Sequence, residues 1–90
     1  MSTSLLVNKM KKYAIETNIQ VEIAASPVEK FLDNLHKYDV FLLGPQVRFK
    51  QNELNQIARE HNKKVEVIKM MDYGMMKGDK VLEYALTLID

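Results

Sequence analysis

Ninety residues carrying a formal net charge of +1 are enough for a single domain, spanning residues 1–90, with one modest core. The chain is 47% hydrophobic and 28% charged, the balance of an ordinary globular domain, and lacks the basic excess expected of a nucleic-acid binder. It has no cysteine for disulfides or thiolate metal sites, no apolar run of membrane-spanning length and no signal-peptide pattern, so direct membrane insertion is not expected and the expected compartment is the cytoplasm.

The first element is predicted to be a helix. Leu6, Val7, Met10 and Ala14 recur at helical spacing, with Lys9, Lys11 and Lys12 on the wet side and Asn18 as its stop. Ile19, Val21, Ile23 and Ala25 then alternate with Gln20 and Glu22, which predicts a strand with one wet face. Ser26-Pro27-Val28-Glu29 has the form of a capping box with proline at the first helical position, and Val28, Phe31, Leu32 and Leu35 make the apolar stripe of the helix that follows. Val40-Phe41-Leu42-Leu43, bounded by Gly44-Pro45, reads as a strand buried on both faces. A third helix is predicted from about Gln46 to His61, burying Leu54, Ile57 and Ala58. Asn62 suits its left-handed end, and Lys63 and Lys64 suit its negative pole. A strand from Lys64 to Ile68, a methionine-rich loop and a last helix burying Leu82, Ala85, Leu86 and Ile89 complete the chain.

Strands separated by helices indicate an α/β fold, an open doubly wound parallel sheet with helices on both faces. Such a sheet needs a strand ahead of the first helix, and none precedes Met1 in these residues.

Met1-Ser2-Thr3-Ser4-Leu5-Leu6-Val7, Leu42-Leu43-Gly44-Pro45-Gln46 and Asp72-Tyr73-Gly74 fall in an order and spacing that resembles the IIB component of the sugar phosphotransferase system, lactose/cellobiose type. The resemblance runs over essentially the whole chain. It implies a four-stranded parallel sheet of order 2-1-3-4, with a short first strand and a Cys-x-x-Gly turn leading into Met-Ser-Thr-Ser. That strand and its cysteine are absent from this sequence. By the same resemblance, the cysteine accepts phosphoryl from a phosphohistidine on the IIA partner and passes it to a sugar held by the membrane-embedded IIC partner, with no cofactor.

Met1, Ser2, Thr3 and Ser4 would then form the phosphoryl-binding loop at a helix N-terminus, where backbone N–H groups and the dipole favour an anion. The same place lowers the pKa of a thiol. Pro45, Gln46 and Tyr73 would stand on neighbouring loops at the carboxyl edge of the sheet. Each motif also has a plainer reading. The hydroxyl run is a good helix cap, Gly44-Pro45 a strand-ending turn, and Gln46 the first polar residue of the next helix. A serine in place of the thiol would lack an activating base.

His36 and His61 fall near predicted helix ends without metal-ligand spacing, so a metal site is not expected. Met70, Met71, Met75 and Met76 flank Asp72-Tyr73-Gly74 and are expected mainly to pack the core and loop, with partner contact as the alternative. Arg48 and Lys50 read as solvated helix charges, or as a dock for an acidic partner.

Without a central strand, the 90-residue chain alone is expected to be poorly stable, re-paired or dimerised. Its loss would remove stabilisation comparable with the roughly 5–15 kcal/mol that holds a whole domain. A start at an internal methionine is the simplest explanation. The alternative function is a cysteine-free module that binds a partner or senses phosphate without catalysis.

Overall fold

The computed structural model describes residues 3–89. Its elements are helix α1 (Thr3–Glu16), a 3-10 turn (Val28–Lys30) running into helix α2 (Phe31–Asn34), and strand β1 (Val40–Leu43). A second 3-10 stretch (Pro45–Lys50) leads into α3 (Gln51–Arg59), followed by strand β2 (Lys64–Val67) and helices α4 (Met70–Gly74) and α5 (Gly78–Thr87). β1 and β2 pair in parallel, with Val40 opposite Lys64 and Leu43 opposite Val67. A parallel pair cannot be closed by a hairpin, and α3 with its 3-10 lead supplies the crossover.

Helices cover both faces of the pair. On one face Leu6, Met10 and Ala14 of α1 pack with Ile68, Tyr73, Val81 and Leu82, with Leu42 against them. On the other, Phe31 and Leu35 pack with Leu43, Leu54, Ala58 and Val65. Leu42 and Leu43 thus serve opposite cores, as successive strand residues must.

Two asparagines end their helices as the sequence suggests. Asn18 (φ 60°) and Asn62 (φ 59°) are left-handed. The N–H of Ile19 returns to the carbonyl of Ala14 at 2.8 Å, and that of Lys63 to Ala58 at 2.9 Å, each satisfying a carbonyl of the final turn.

Several expectations are corrected. The strand over Ile19–Ala25 does not form. A strand exists only by its ladder bonds, and beyond the helix-ending bond of Ile19, residues 20–26 make no backbone–backbone bond to another described residue. The alternation survives only in packing, because Ile19 and Ile23 lie against the first core while Val21 is exposed.

β1 is half-buried at Val40, Phe41 and Leu42, and only Leu43 is fully covered. The edge of β1 away from β2 borders a cleft of about 970 Å³ lined by residues of α1, the 20–29 segment, β1 and α5.

The Ser26 capping box is also absent. The first turn is 3-10, closed by Lys30 N–H to the Pro27 carbonyl, which places Pro27 at the cap and leaves Ser26 one residue outside it. Ser26 Oγ instead accepts from Asn34 Nδ2 at 3.2 Å. Leu32 and Ile89 are exposed rather than buried. The Lys63 side chain turns to the end of α2, its Nζ donating to the Leu35 carbonyl at 2.6 Å, while its backbone N–H serves α3. The predicted methionine-rich loop contains α4.

α1 and α5 are tied at the surface by Tyr13, whose hydroxyl donates to Glu83 at 2.6 Å. That bond, with burial and the charges of Glu83 and Asp79, raises the Tyr13 pKa above its ordinary 10.0. A phenol raised on folding favours the native state while protonated, so this contribution is complete below pH 10 and is lost as pH climbs through the raised value. Ultraviolet titration should place Tyr13 above its ordinary 10.0, and Glu83→Gln, which removes the charged acceptor, should lower it.

Candidate functional site

Three side chains distant in sequence meet at one hydroxyl. Tyr73 Oη lies 3.1 Å from Thr3 Oγ1, and Gln46 Nε2 donates to it at 3.2 Å. Each residue is delivered by the end of an element. Thr3 opens α1, Gln46 follows β1 through the Gly44-Pro45 turn, and Tyr73 follows β2 on α4. Both strands therefore send their carboxyl ends toward the same point, and the amino end of the 14-residue α1 meets them there. Tyr73 is held firmly, with its ring in the first core and only 8% of its surface exposed. Thr3 and Gln46 are exposed. The three residues also line the long cleft beside β1.

The chemistry of this corner is that of hydrogen-bond donation. The Tyr73 oxygen accepts from Gln46, so its own proton is available to Thr3 or to an arriving anion. The Gln46 amide, the Thr3 hydroxyl and the positive end of α1 lie around it. Among the described residues, no carboxylate shares the hydrogen bonds of Tyr73 Oη with Thr3 and Gln46. Such an edge suits an anion better than a cation.

Gly44 gives Gln46 its place. A methyl group at position 44 would stand 2.6 Å from Gln46 Oε1 and 2.7 Å from its Nε2. The obstacle is the far end of a flexible side chain, so Gly44→Ala should cost under about 1 kcal/mol in stability. It should nevertheless swing Gln46 away from Tyr73. Thermal denaturation compared with anion binding separates the two effects.

Of the residues expected at the site, Thr3, Gln46 and Tyr73 come together. Pro45 takes the first position of the 3-10 stretch and is half-buried, while Ser4 is exposed in the first turn of α1. Met1 and Ser2 lie outside the described residues. His36 and His61 are both exposed and stack edge to face, with ring centroids 5.0 Å apart, at the opposite ends of their helices from this corner. The Tyr73–Thr3 bond was not signalled by any local pattern, since the two residues are 70 positions apart.

The architecture is that of an α/β domain whose polar site stands at the carboxyl edge of a parallel pair and at a helix amino terminus. Residues 1–84 match the family described as "PTS system, Lactose/Cellobiose specific IIB subunit". The chain belongs to that family. It is 47% identical over 89 residues to the oligo-beta-mannoside-specific EIIB component of Bacillus subtilis (strain 168), covering 99% of this chain and 86% of the relative. It is likewise 47% identical over 96 residues to the galactose-specific EIIB component of Lactococcus lactis subsp. cremoris (strain MG1363), covering 100% of this chain and 88% of that one. Its fold matches the solution structure of the cellobiose-specific phosphotransferase IIB component from Borrelia burgdorferi with a TM-score of 0.81, at 38% identity, over 99% of this chain and 82% of the other. The chain is therefore of the IIB-subunit type of the phosphotransferase system. Among the described residues no helix is long and apolar enough to cross a membrane.

Proposed function

We propose that the Thr3–Gln46–Tyr73 corner, with Ser4 of the first turn of α1, Pro45 of the neighbouring turn and Met1 and Ser2 ahead of them in sequence, is the cradle of a transferred phosphoryl group. The observation that carries this reading is the shared hydroxyl: the amino end of α1 and the stretch that follows β1 converge on Tyr73 Oη of α4, the helix that follows β2. Three hydrogen-bond donors of different flexibility around one point suit a group with several equivalent oxygens. Family membership supplies the rest of the reading.

In that reaction a cysteine thiolate attacks the phosphorus of a phosphohistidine on the IIA partner. The N–P bond breaks with its electron pair returning to the imidazole, and an S–P bond forms. A sugar hydroxyl bound by the IIC partner then attacks phosphorus, its proton is released, and the thiolate is regenerated. The residues described here bind and orient the phosphoryl oxygens in both steps. The thiol is not among these ninety residues, so transfer is expected only from a form carrying one ahead of Met1, and the site is placed in the cytoplasm with its phosphoryl donor.

The test is incubation with phosphoenolpyruvate and the general phosphotransfer proteins, together with a IIA protein of this type. A form extended by a strand and a Cys-x-x-Gly turn should acquire a thiol phosphate, and the 90-residue form should not. Binding to IIA without any transfer by the extended form would favour the non-catalytic partner-binding module instead.

A further inference from the structure

α4 turns one side inward and leaves the other bare. Tyr73 is buried, whereas Met70, Met71 and Met75 are 65%, 68% and 60% exposed. Met71 and Met75 are one turn apart and share a side, with Met70 beside them. Only Met76 of this group packs against the core, so the expectation that the methionines mainly fill the interior is corrected. Three bare methionines within six residues are an unusual surface, and an exposed apolar patch is costly unless something covers it. Methionine is flexible and polarizable, which suits it to a contact that forms and breaks repeatedly.

The charges beside this patch have one dominant sign. Lys69 and Lys77 flank α4, and Arg48 and Lys50 lie on the 3-10 stretch that carries Gln46; Asp72 is the single carboxylate in these two segments. The chain as a whole is nearly neutral, with a net charge of +1. The excess lies on the two segments that the Gln46–Tyr73 bond joins, α4 with its flanks and the Pro45–Lys50 stretch.

From this juxtaposition we infer that the outer side of α4, with Arg48 and Lys50, is the docking surface for the phosphohistidine-bearing protein, and that this protein offers an apolar patch ringed by carboxylates. The inference rests on the function proposed above. A protein that delivers phosphoryl to the corner must cover its mouth. A standard interface of about 800 Å² per partner is a disc of radius roughly 16 Å, and a helix is only about 10 Å across. The disc therefore reaches over α4 to the methionines. Lysine and arginine around an apolar centre steer an acidic partner and fix its orientation, while the centre provides adaptable contact.

Gly74 provides a clean probe. It lies between Met71 and Met75, and a side chain there would meet no heavy atom within 4 Å. Gly74→Glu therefore puts a carboxylate in the patch without disturbing the packing. The experiment is a titration of protein carrying 13C-methyl methionine with a purified lactose/cellobiose-type IIA protein, followed by NMR. The methyl signals of Met70, Met71 and Met75 should shift or broaden, while those of Met10 and Met76 stay in place and report an intact fold. Gly74→Glu should weaken binding at least about tenfold, and added salt should weaken the unaltered protein's binding as well.

Binding with the three exposed methyls unmoved, equal binding by Gly74→Glu, or no binding at all would each overturn the inference. Phosphoryl transfer to the cysteine-bearing form is measured alongside. Transfer with unmoved methyls would leave the proposed function standing and remove the docking surface. Absence of both transfer and binding would remove both.

Discussion

Tyr73→Phe is expected to slow phosphoryl transfer to and from the cysteine-bearing form by about a hundredfold, the scale on which loss of one preorganised donor acts. The ring stays in place, because its surroundings are apolar and its buried surface is kept. What disappears is the hydroxyl that accepts from Gln46 and pairs with Thr3. Both partners are exposed and can turn to water, so the loss of stability should be near 1 kcal/mol. A large kinetic effect with a small thermal one identifies Tyr73 as an organiser of the anion cradle. Equal losses in both would make it a packing residue only. Gln46→Ala removes one donor but leaves Tyr73–Thr3, and its effect should be smaller in the same assay.

The second large effect is on stability and arises where α5 begins against α1. Gly78→Ala is expected to destabilise the domain by about 1–3 kcal/mol. A Cβ at position 78 would stand 2.7 Å from the carbonyl carbon and the Cβ of Lys9, and from the amide nitrogen of Met10. These are backbone and stem atoms in the middle of α1, and they cannot rotate aside. α1 and α5 would have to separate, loosening Leu6, Met10, Val81 and Leu82 together. Gly78→Ala in an isolated peptide would stabilise a helix, so an unaltered or raised melting temperature would show that the helices can part without cost.

How far these features can be read in the sequence differs from element to element. The periodicity of Leu6, Met10 and Ala14 gives α1, and Leu54 with Ala58 gives α3, because side-chain burial repeats with the helix turn. Asn18 and Asn62 end their helices because few other residues accept positive φ. Alternation fails for residues 19–25, since a strand depends on a neighbour's backbone and not on its own side chains. The close approach at Gly78 leaves no local trace either. The glycine opens a helix whose partner lies some 70 residues earlier, so it reads simply as a turn residue. Ser26 shows a subtler limit, because a capping pattern specifies its cap only if the first turn is α-helical rather than 3-10.

The site is legible in parts. Gly44-Pro45-Gln46 marks the turn after β1, Asp72-Tyr73-Gly74 marks the segment after β2 although that segment folds as α4, and the hydroxyl run marks a helix start. That Tyr73 Oη joins Thr3 and Gln46 is a property of the folded chain alone. The exposure of Met70, Met71 and Met75 is likewise hidden, because the same residues would satisfy an interior position equally well.

The most direct test of phosphoryl handling at this corner is 31P NMR of the cysteine-extended protein after incubation with phosphoenolpyruvate, the general phosphotransfer proteins and IIA. A thiophosphate resonance that appears with the extended protein, weakens strongly in Tyr73→Phe and vanishes on adding sugar with the IIC component is the predicted result. A resonance of undiminished rate and intensity in Tyr73→Phe, or none in the extended protein despite bound IIA, would contradict it.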